Sequence, residues 1–129
     1  MAKAILVADD DPDILSIVSM SLETQGYTVY KAANGREAVD LARQHHPDLV
    51  LMDMMMPIMD GLAACQAMRA LEKKDSRVPI LFLTARDTRH DQMSSSLSGG
   101  DDFISKPISL QELRERVEAA LSRSKRKPS

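Results

Sequence analysis

Carboxylates, a hydroxyl and an ammonium group each follow a segment of the chain that has the composition of a β-strand. In chain order these are Asp9, Asp10 and Asp11 after residues 5–8, Asp53 after residues 49–52, Thr84 after residues 80–83, and Lys106 shortly after residues 102–104. Any one of them, taken alone, is typical of an ordinary loop. Their placement after four separate strands indicates one shared site, because the carboxyl ends of parallel strands meet at one edge of a sheet.

The acidic members of this group imply a bound metal. Several carboxylates in one pocket repel each other, and the repulsion raises their pKa values unless a cation keeps them ionised. No histidine or thiolate accompanies them, so the ligands favour a hard ion. A site with few protein ligands and room for water and phosphate oxygens suits Mg²⁺ better than Ca²⁺.

Asp53 can also act as a nucleophile. A carboxylate accepts a phosphoryl group as an aspartyl phosphate when positive charge neutralises the transition state. Lys106 and the metal would supply that charge, and the Thr84 hydroxyl would donate to a phosphoryl oxygen. Acidic residues rather than a glycine-rich phosphate cradle follow the first strand, which disfavours a nucleotide or flavin site there.

Apolar runs bounded by turn residues alternate with segments of helical period along the chain. The predicted strands are residues 5–8, 28–30, 49–52, 80–83 and 102–104. A helix is predicted after each strand, and the fourth, in the serine-rich segment 88–97, is expected to be the least stable. This alternation predicts a doubly wound α/β fold, in which helices cover both faces of a parallel sheet.

Length, charge and cysteine content narrow the class of protein. A chain of 129 residues fits one domain, and a net charge of −2 gives no general attraction to nucleic acid or membrane. Cys65 has no disulfide partner and lies on an apolar helix stripe, so we expect it in the core. His45 and His46 are expected to be exposed at the end of the second helix. No segment has the length of a signal peptide core or a membrane span, so we expect a cytoplasmic location.

The motifs at the predicted strand ends resemble those of the receiver domain of two-component response regulators, in the CheY-like superfamily. They are ILVADD at residues 5–10, Asp53 followed by Met56-Pro57 and Asp60-Gly61, LTA at residues 83–85, and DDFISKP at residues 101–107. The resemblance covers residues 3–122 and implies a flavodoxin-like, five-stranded sheet of order 2-1-3-4-5 with five flanking helices. Residues 123–129 would be a basic tail or the start of a linker.

The same resemblance implies a role for each residue in signalling. Asp53 would accept a phosphoryl group from a sensor histidine kinase or a histidine phosphotransfer protein. Lys106 would contact that group, and Thr84 would move toward it. Phe103 matches the switch aromatic, whose rotation changes the face formed by the fourth helix, the fifth strand and the fifth helix.

The resemblance also implies a set of Mg²⁺ ligands. Asp10, Asp53 and the backbone carbonyl of Met55 would bind the ion directly, and Asp9 would act mostly through water. Met54 to Met59 are expected to form a loop beside the site. Its other methionines, Met54, Met56 and Met59, are interpreted as adaptable packing residues.

The implied output is altered binding to a downstream protein or domain, with slow self-catalysed phosphotransfer and dephosphorylation rather than enzymatic turnover of a metabolite. Phosphorylation-dependent homodimerisation stays open, while direct binding to nucleic acid or membrane is not expected. One alternative is a pseudo-receiver that binds partners without phosphorylation. Another is a phosphatase of the haloacid dehalogenase type, but residues 9–13 lack its pattern and the chain is too short for a cap.

Overall fold

The structure is a computed structural model that describes residues 2–73, 77–84 and 100–123. The strands are β1 (Ala4–Ala8), β2 (Thr28–Ala32), β3 (Leu49–Asp53), β4 (Ile80–Thr84) and β5 (Asp102–Ser105). The helices in this part of the chain are α1 (Pro12–Thr24), α2 (Gly35–His45), α3 (Gly61–Leu71) and α4 (Leu110–Arg123). Five helices were expected and four are described here, because the helix predicted over residues 88–97 lies outside the described residues.

The five strands form one sheet of order β2-β1-β3-β4-β5, and every neighbouring pair is parallel. This arrangement confirms the predicted doubly wound, flavodoxin-like topology. Strand order reverses between β1 and β3, which lie side by side at the centre of the sheet. The carboxyl ends of these two strands flank the position where ligands bind in sheets of this kind.

Alternate residues of the central strands face opposite sides of the sheet, and each side has its own buried core. Leu6, Val50, Met52 and Phe82 pack with residues of α2 and α3. The intervening strand residues, including Val7 and others of β3 and β4, pack with residues of α1 and α4 on the other side. Both faces are therefore covered, which explains why the strands are apolar at nearly every position.

Cys65 lies in the first of these cores and is fully buried, as predicted. Burial raises the pKa of its thiol, although the nearby Arg69 acts in the opposite direction. A buried thiol with a raised pKa is a weak nucleophile, so the residue acts as a small apolar packing group.

Side chains cap the helices where the sequence places short polar residues before an apolar stripe. Asp11 accepts from the N–H groups of Asp13 and Ile14 at the start of α1, and Asn34 accepts from Glu37 in α2. At the start of α4, the Ser109 hydroxyl accepts from the Glu112 N–H at 3.3 Å. These caps satisfy N–H groups that have no partner within the helix.

The end of α2 carries the two histidines in the exposed positions predicted for them. The His45 ring stacks on Tyr30 with 4.0 Å between centroids, and His46 caps the helix in the left-handed conformation. A helix long and apolar enough to cross a membrane does not occur among residues 2–73, 77–84 and 100–123.

Phe82 offers a test of the packing on the α2–α3 side of the sheet. The side chain is completely buried in β4, so Phe82→Ala should lower the free energy of unfolding by about 3–5 kcal/mol through lost burial and a cavity. Met20→Ala, at a position that is 66% exposed, should cost less than about 1 kcal/mol. Urea unfolding followed by circular dichroism measures both, and equal losses would contradict the described core.

Candidate functional site

Three carboxylates meet where β1 and β3 end. Asp9 and Asp10 directly follow β1, and Asp53 is the last residue of β3. One oxygen of each lies within 4.8 Å of the others. Asp9 and Asp53 are buried, whereas Asp10 is exposed. The topology thus brings together residues 44 positions apart in the chain, as the strand-end pattern predicts.

Lys106 reaches this cluster from the loop after β5. Its Nζ lies 3.3 Å from Oδ2 of Asp9 and 3.3 Å from Oδ2 of Asp53. The peptide bond that follows it, to Pro107, is cis. The direct contact between Lys106 and Asp9 is a feature that the sequence did not predict.

The electrostatics of the cluster are unbalanced toward negative charge. Burial, followed by repulsion from Asp9, raises the pKa of Asp53 from 3.8 to about 6, although Lys106 and the Met55 N–H lower it. For Lys106, burial acts to lower the pKa, but the attraction of Asp53 and Asp9 outweighs it and the pKa is raised. One ammonium group therefore does not compensate the carboxylates around it.

These carboxylates fit a hard divalent cation. Three oxygen donors lie close enough to share one ion. Oδ2 of Asp9 is completely buried, and among the described residues its polar contact is the 3.3 Å ion pair with Lys106, which Asp53 shares. Burying carboxylates that share a single ammonium group is costly, and a divalent cation would compensate them. Carboxylates and carbonyls without nitrogen or sulfur ligands favour Mg²⁺.

The loop between β3 and α3, residues 54–60, forms one wall of the site and is hereafter the β3–α3 loop. Its first residue is tied on both sides: Met54 N–H donates to the Leu83 carbonyl at 3.2 Å, and the Met54 carbonyl accepts from Gly61 N–H at 3.0 Å. A side chain at Gly61 would collide with the backbone of Asp53 and Met54. This close approach of the start of α3 to the end of β3 requires glycine.

Asp60, which the sequence interpretation did not recognise as a cap, starts α3 by accepting from the Ala63 N–H at 2.8 Å. An aspartate directly before a helical apolar stripe was the available signal. Capping α3 in this way fixes the far end of the β3–α3 loop.

The methionines of this loop separate into two groups. Met54 is buried, and Met56 and Met59 pack against the core on the α2–α3 side, which confirms their interpretation as packing residues. Met55 is different, with 74% of its side chain exposed. Its backbone N–H donates to Oδ1 of Asp53 at 3.3 Å, so the residue is connected to the site through its main chain.

Thr84 and Phe103 lie on the neighbouring strands β4 and β5. Thr84 is the last residue of β4, paired with Ser105, and its side chain is not among the described groups. Phe103 is half-buried and packs against the core on the α2–α3 side. Arg116 of α4 donates to the Phe103 carbonyl at 3.2 Å and to Asp102 at 2.8 Å, which holds the edge strand β5 against the helix.

An ionic cluster that the sequence did not predict lies at the amino ends of β4 and β5, at the end of the sheet opposite the carboxylate site. Asp101 accepts from Arg69 and from the Ile80 N–H, each at 2.8 Å, and from Arg77 at 3.1 Å. The Glu72 carboxylate accepts from Val78 N–H and pairs with Arg69. These bonds join the end of α3 to the starts of β4 and β5, so they set the register of the strands that carry Thr84 and precede Lys106.

Comparison with known proteins assigns most of the chain to the family that the sequence motifs resemble. The family model described as response regulator receiver domain matches residues 5–118. A putative response regulator from Chloroflexus aurantiacus is 31% identical, with a TM-score of 0.86 over 95% of this chain and 100% of that one. The chemotaxis protein CheY4 of Vibrio cholerae is 28% identical, with a TM-score of 0.87 over 93% and 99%.

A third similar structure is the receiver domain of a sensor histidine kinase from Pseudomonas aeruginosa, with a magnesium ion coordinated in its active-site cleft. It is 31% identical to this chain, covers 95% of it and 99% of its own length, and has a TM-score of 0.86.

Burial of Asp53 and its repulsion by Asp9 predict that removing the Asp53 charge increases the stability of the metal-free protein in a pH-dependent way. Because its pKa is raised when folded, the folded chain binds more protons than the unfolded chain between pH 3.8 and about 6, and stability falls as the pH rises through that window. Metal-free Asp53→Asn should therefore be more stable than the wild type above pH 6, by about 2–3 kcal/mol at about 1.4 kcal/mol per pKa unit. The difference should vanish near pH 4.

Urea unfolding in the presence of a chelator, repeated across this pH range, checks the prediction. Asp40→Asn, at an exposed position of α2, is the matched control and should change stability little at any pH. A loss of stability in Asp53→Asn at pH 7 would show that the pairing with Lys106 outweighs the burial and the repulsion of the Asp53 carboxylate.

Proposed function

The chain belongs to the response regulator receiver domain family of two-component systems, and we propose that its Asp53 accepts a phosphoryl group from a phosphohistidine of a sensor kinase or histidine phosphotransfer protein. The observation that carries this proposal is the convergence of Asp9, Asp10, Asp53 and Lys106 at the strand ends. The receiver unit would span residues 3–122, with residues 123–129 as a basic tail or the start of a linker.

The transfer step is a displacement at phosphorus. An oxygen of the ionised Asp53 carboxylate attacks the phosphorus atom as the bond to the donor nitrogen or oxygen breaks, and the electron pair leaves with the donor. Lys106 would contact the transferred group, and the 3.3 Å distance between its Nζ and Oδ2 of Asp53 supports this role. Its positive charge would stabilise the charge that gathers on the phosphoryl oxygens. Thr84, at the end of the adjacent strand, would donate its hydroxyl to one of them.

We assign the metal role to Mg²⁺, held by Asp10, Asp53 and the backbone carbonyl of Met55, with Asp9 acting mostly through water. The uncompensated carboxylates and the magnesium ion in the related Pseudomonas domain support this assignment. When bound, the ion would neutralise the carboxylates and the phosphoryl oxygens. The ion would also lower the pKa of Asp53, which burial raises, so that the carboxylate stays ionised to a lower pH.

The signal would leave the site through Thr84 and Phe103. A phosphoryl group that interacts differently with two conformations shifts their populations. Phe103 lies on the edge strand β5, and its carbonyl accepts from Arg116 of α4. A change in Phe103 would therefore alter the surface that β5, α4 and the helix predicted over residues 88–97 present to an output protein or domain, or to a second copy of the chain.

Asp53 can be tested as the phosphoryl acceptor with a small phosphodonor. Incubation with acetyl phosphate and Mg²⁺ should add one phosphoryl group, located on Asp53 by mass spectrometry of borohydride-trapped peptides. Asp53→Asn should abolish the modification, because an amide cannot form the acyl phosphate, while Asp40→Asn should retain it. If the wild type takes no phosphoryl group from acetyl phosphate or a phosphorylated histidine protein, the chain is a phosphorylation-independent binding module. Rapid turnover of a phosphorylated metabolite would instead indicate a phosphatase.

A further prediction concerns the affinity of the site for Mg²⁺. Asp10→Asn should raise the Mg²⁺ Kd at least about tenfold, because it removes one of three negative charges from the cluster, and tenfold corresponds to about 1.4 kcal/mol. Asp13→Asn removes an exposed charge from the first turn of α1 and should change the Kd less than about twofold. Isothermal titration calorimetry measures both values. Equal effects of the two variants would mean that only the general negative potential attracts the ion.

A further inference from the structure

We propose that Gly35, at the start of α2, is a positioning residue for the magnesium site, although it does not touch the site. Its backbone N–H holds the β3–α3 loop in the position that the main chain of Met55 needs. This inference rests on the proposed function, because it assigns a role toward the ion that Asp10, Asp53 and Met55 would bind.

The connection is one close backbone contact between elements that are distant in sequence. The Gly35 N–H donates to the Met59 carbonyl at 2.9 Å. A Cβ at residue 35 would collide with that carbonyl oxygen, and it would lie 2.8 Å from the Met59 carbonyl carbon and 3.1 Å from the Asp60 carbonyl oxygen. The neighbours in this collision are main-chain atoms, which cannot swing aside as a flexible side chain does. Glycine is therefore required here by the approach of α2 to the loop.

The loop needs a connection of this kind because its backbone is strained. Ile58 has a φ of 69°, a left-handed conformation that is unusual for a β-branched residue. Met59 N–H donates to the Pro57 carbonyl at 2.7 Å, which closes a three-residue turn around Ile58. The Ile58 side chain is 81% exposed, so its own packing does not hold the turn. Strained conformations persist only where surrounding contacts maintain them.

The position of Met55 depends on the same main-chain contacts. The loop closes on itself at its base, where Gly61 N–H donates to the Met54 carbonyl, and its far side is held to α2 by Gly35. Met55 lies between these two attachments in the chain, and because its side chain is exposed, backbone contacts rather than side-chain packing restrain its main chain. Its N–H also donates to Oδ1 of Asp53, so a shift of the loop would turn the Asp53 carboxylate as well.

Coupling between two sites is reciprocal, which gives a test that needs no substitution. If the bond from Gly35 favours Mg²⁺ binding, Mg²⁺ must strengthen that bond. Saturating Mg²⁺ should slow amide hydrogen exchange at Gly35 by about fivefold or more in the wild type. The Ala38 amide, which donates to the Asn34 carbonyl within the same helix, is the control and should slow less than about twofold. Equal slowing at Gly35 and Ala38, or none at Gly35, would overturn the proposal.

Gly35→Ala tests the converse effect, in which loss of the Gly35 contact weakens Mg²⁺ binding. The variant should raise the Mg²⁺ Kd about tenfold, measured by calorimetry below its unfolding temperature. The matched control is Gly26→Ala in the turn after α1, where φ is 96° and no atom lies within 4 Å of an added Cβ. That substitution also destabilises the fold through backbone strain, but it lies at the opposite edge of the sheet and should leave the Mg²⁺ Kd unchanged.

The outcomes separate this inference from the proposed function. A wild type that neither binds Mg²⁺ nor accepts a phosphoryl group overturns both. A wild type that does both, with an unchanged Mg²⁺ Kd in Gly35→Ala, overturns the positioning role alone. An equal rise in Kd for Gly26→Ala and Gly35→Ala would also overturn it, because the effect would then follow from lost stability. If Gly35→Ala does not fold, the exchange measurement on the wild type decides.

Discussion

The site depends on one constraint, which is that two neighbouring carboxylates, Asp9 and Asp53, are buried side by side. Asp9 and Asp53 are held together at the ends of adjacent central strands, where water solvates them poorly, and burial together with Asp9 raises the pKa of Asp53 to about 6. Lys106, 3.3 Å from each, offsets part of the repulsion. A group poised in this way responds strongly to any added charge, whether a cation that neutralises it or a phosphoryl group that increases it.

The fold keeps this unfavourable arrangement in place through the burial of the sheet. Both faces of β1 and β3 are covered, by α2 and α3 on one side and by α1 and α4 on the other. The apolar contacts of these strands stabilise the sheet by far more than the repulsion between the carboxylates costs. The strands therefore cannot separate to relieve the repulsion, and the site is instead available for a ligand that does so.

Main-chain contacts organise the periphery of the site as much as side chains do. The β3–α3 loop is bounded by Gly61, which allows the close approach of α3 to β3, and by Gly35, which allows the approach of α2. A strained residue, Ile58, lies between them. On the other side of the sheet, the Arg116 bond to the Phe103 carbonyl connects the edge strand to α4. Backbone groups thus connect the β3–α3 loop to α2 and α3, and the edge strand β5 to α4.

The sequence by itself determined the strands, the doubly wound topology and the convergence of Asp9, Asp10, Asp53 and Lys106 at one edge. Those conclusions follow from hydrophobic period and from the shared direction of parallel strands, which are local patterns and a general rule. Only the tertiary structure decided that Asp9 pairs directly with Lys106, that Asp101 joins α3 to β4 and β5, and that Gly35 meets Met59. Each of these contacts joins residues far apart in the chain. The local sequence around each residue does not determine the distance between the two, because that distance is set only when the helices pack on the sheet.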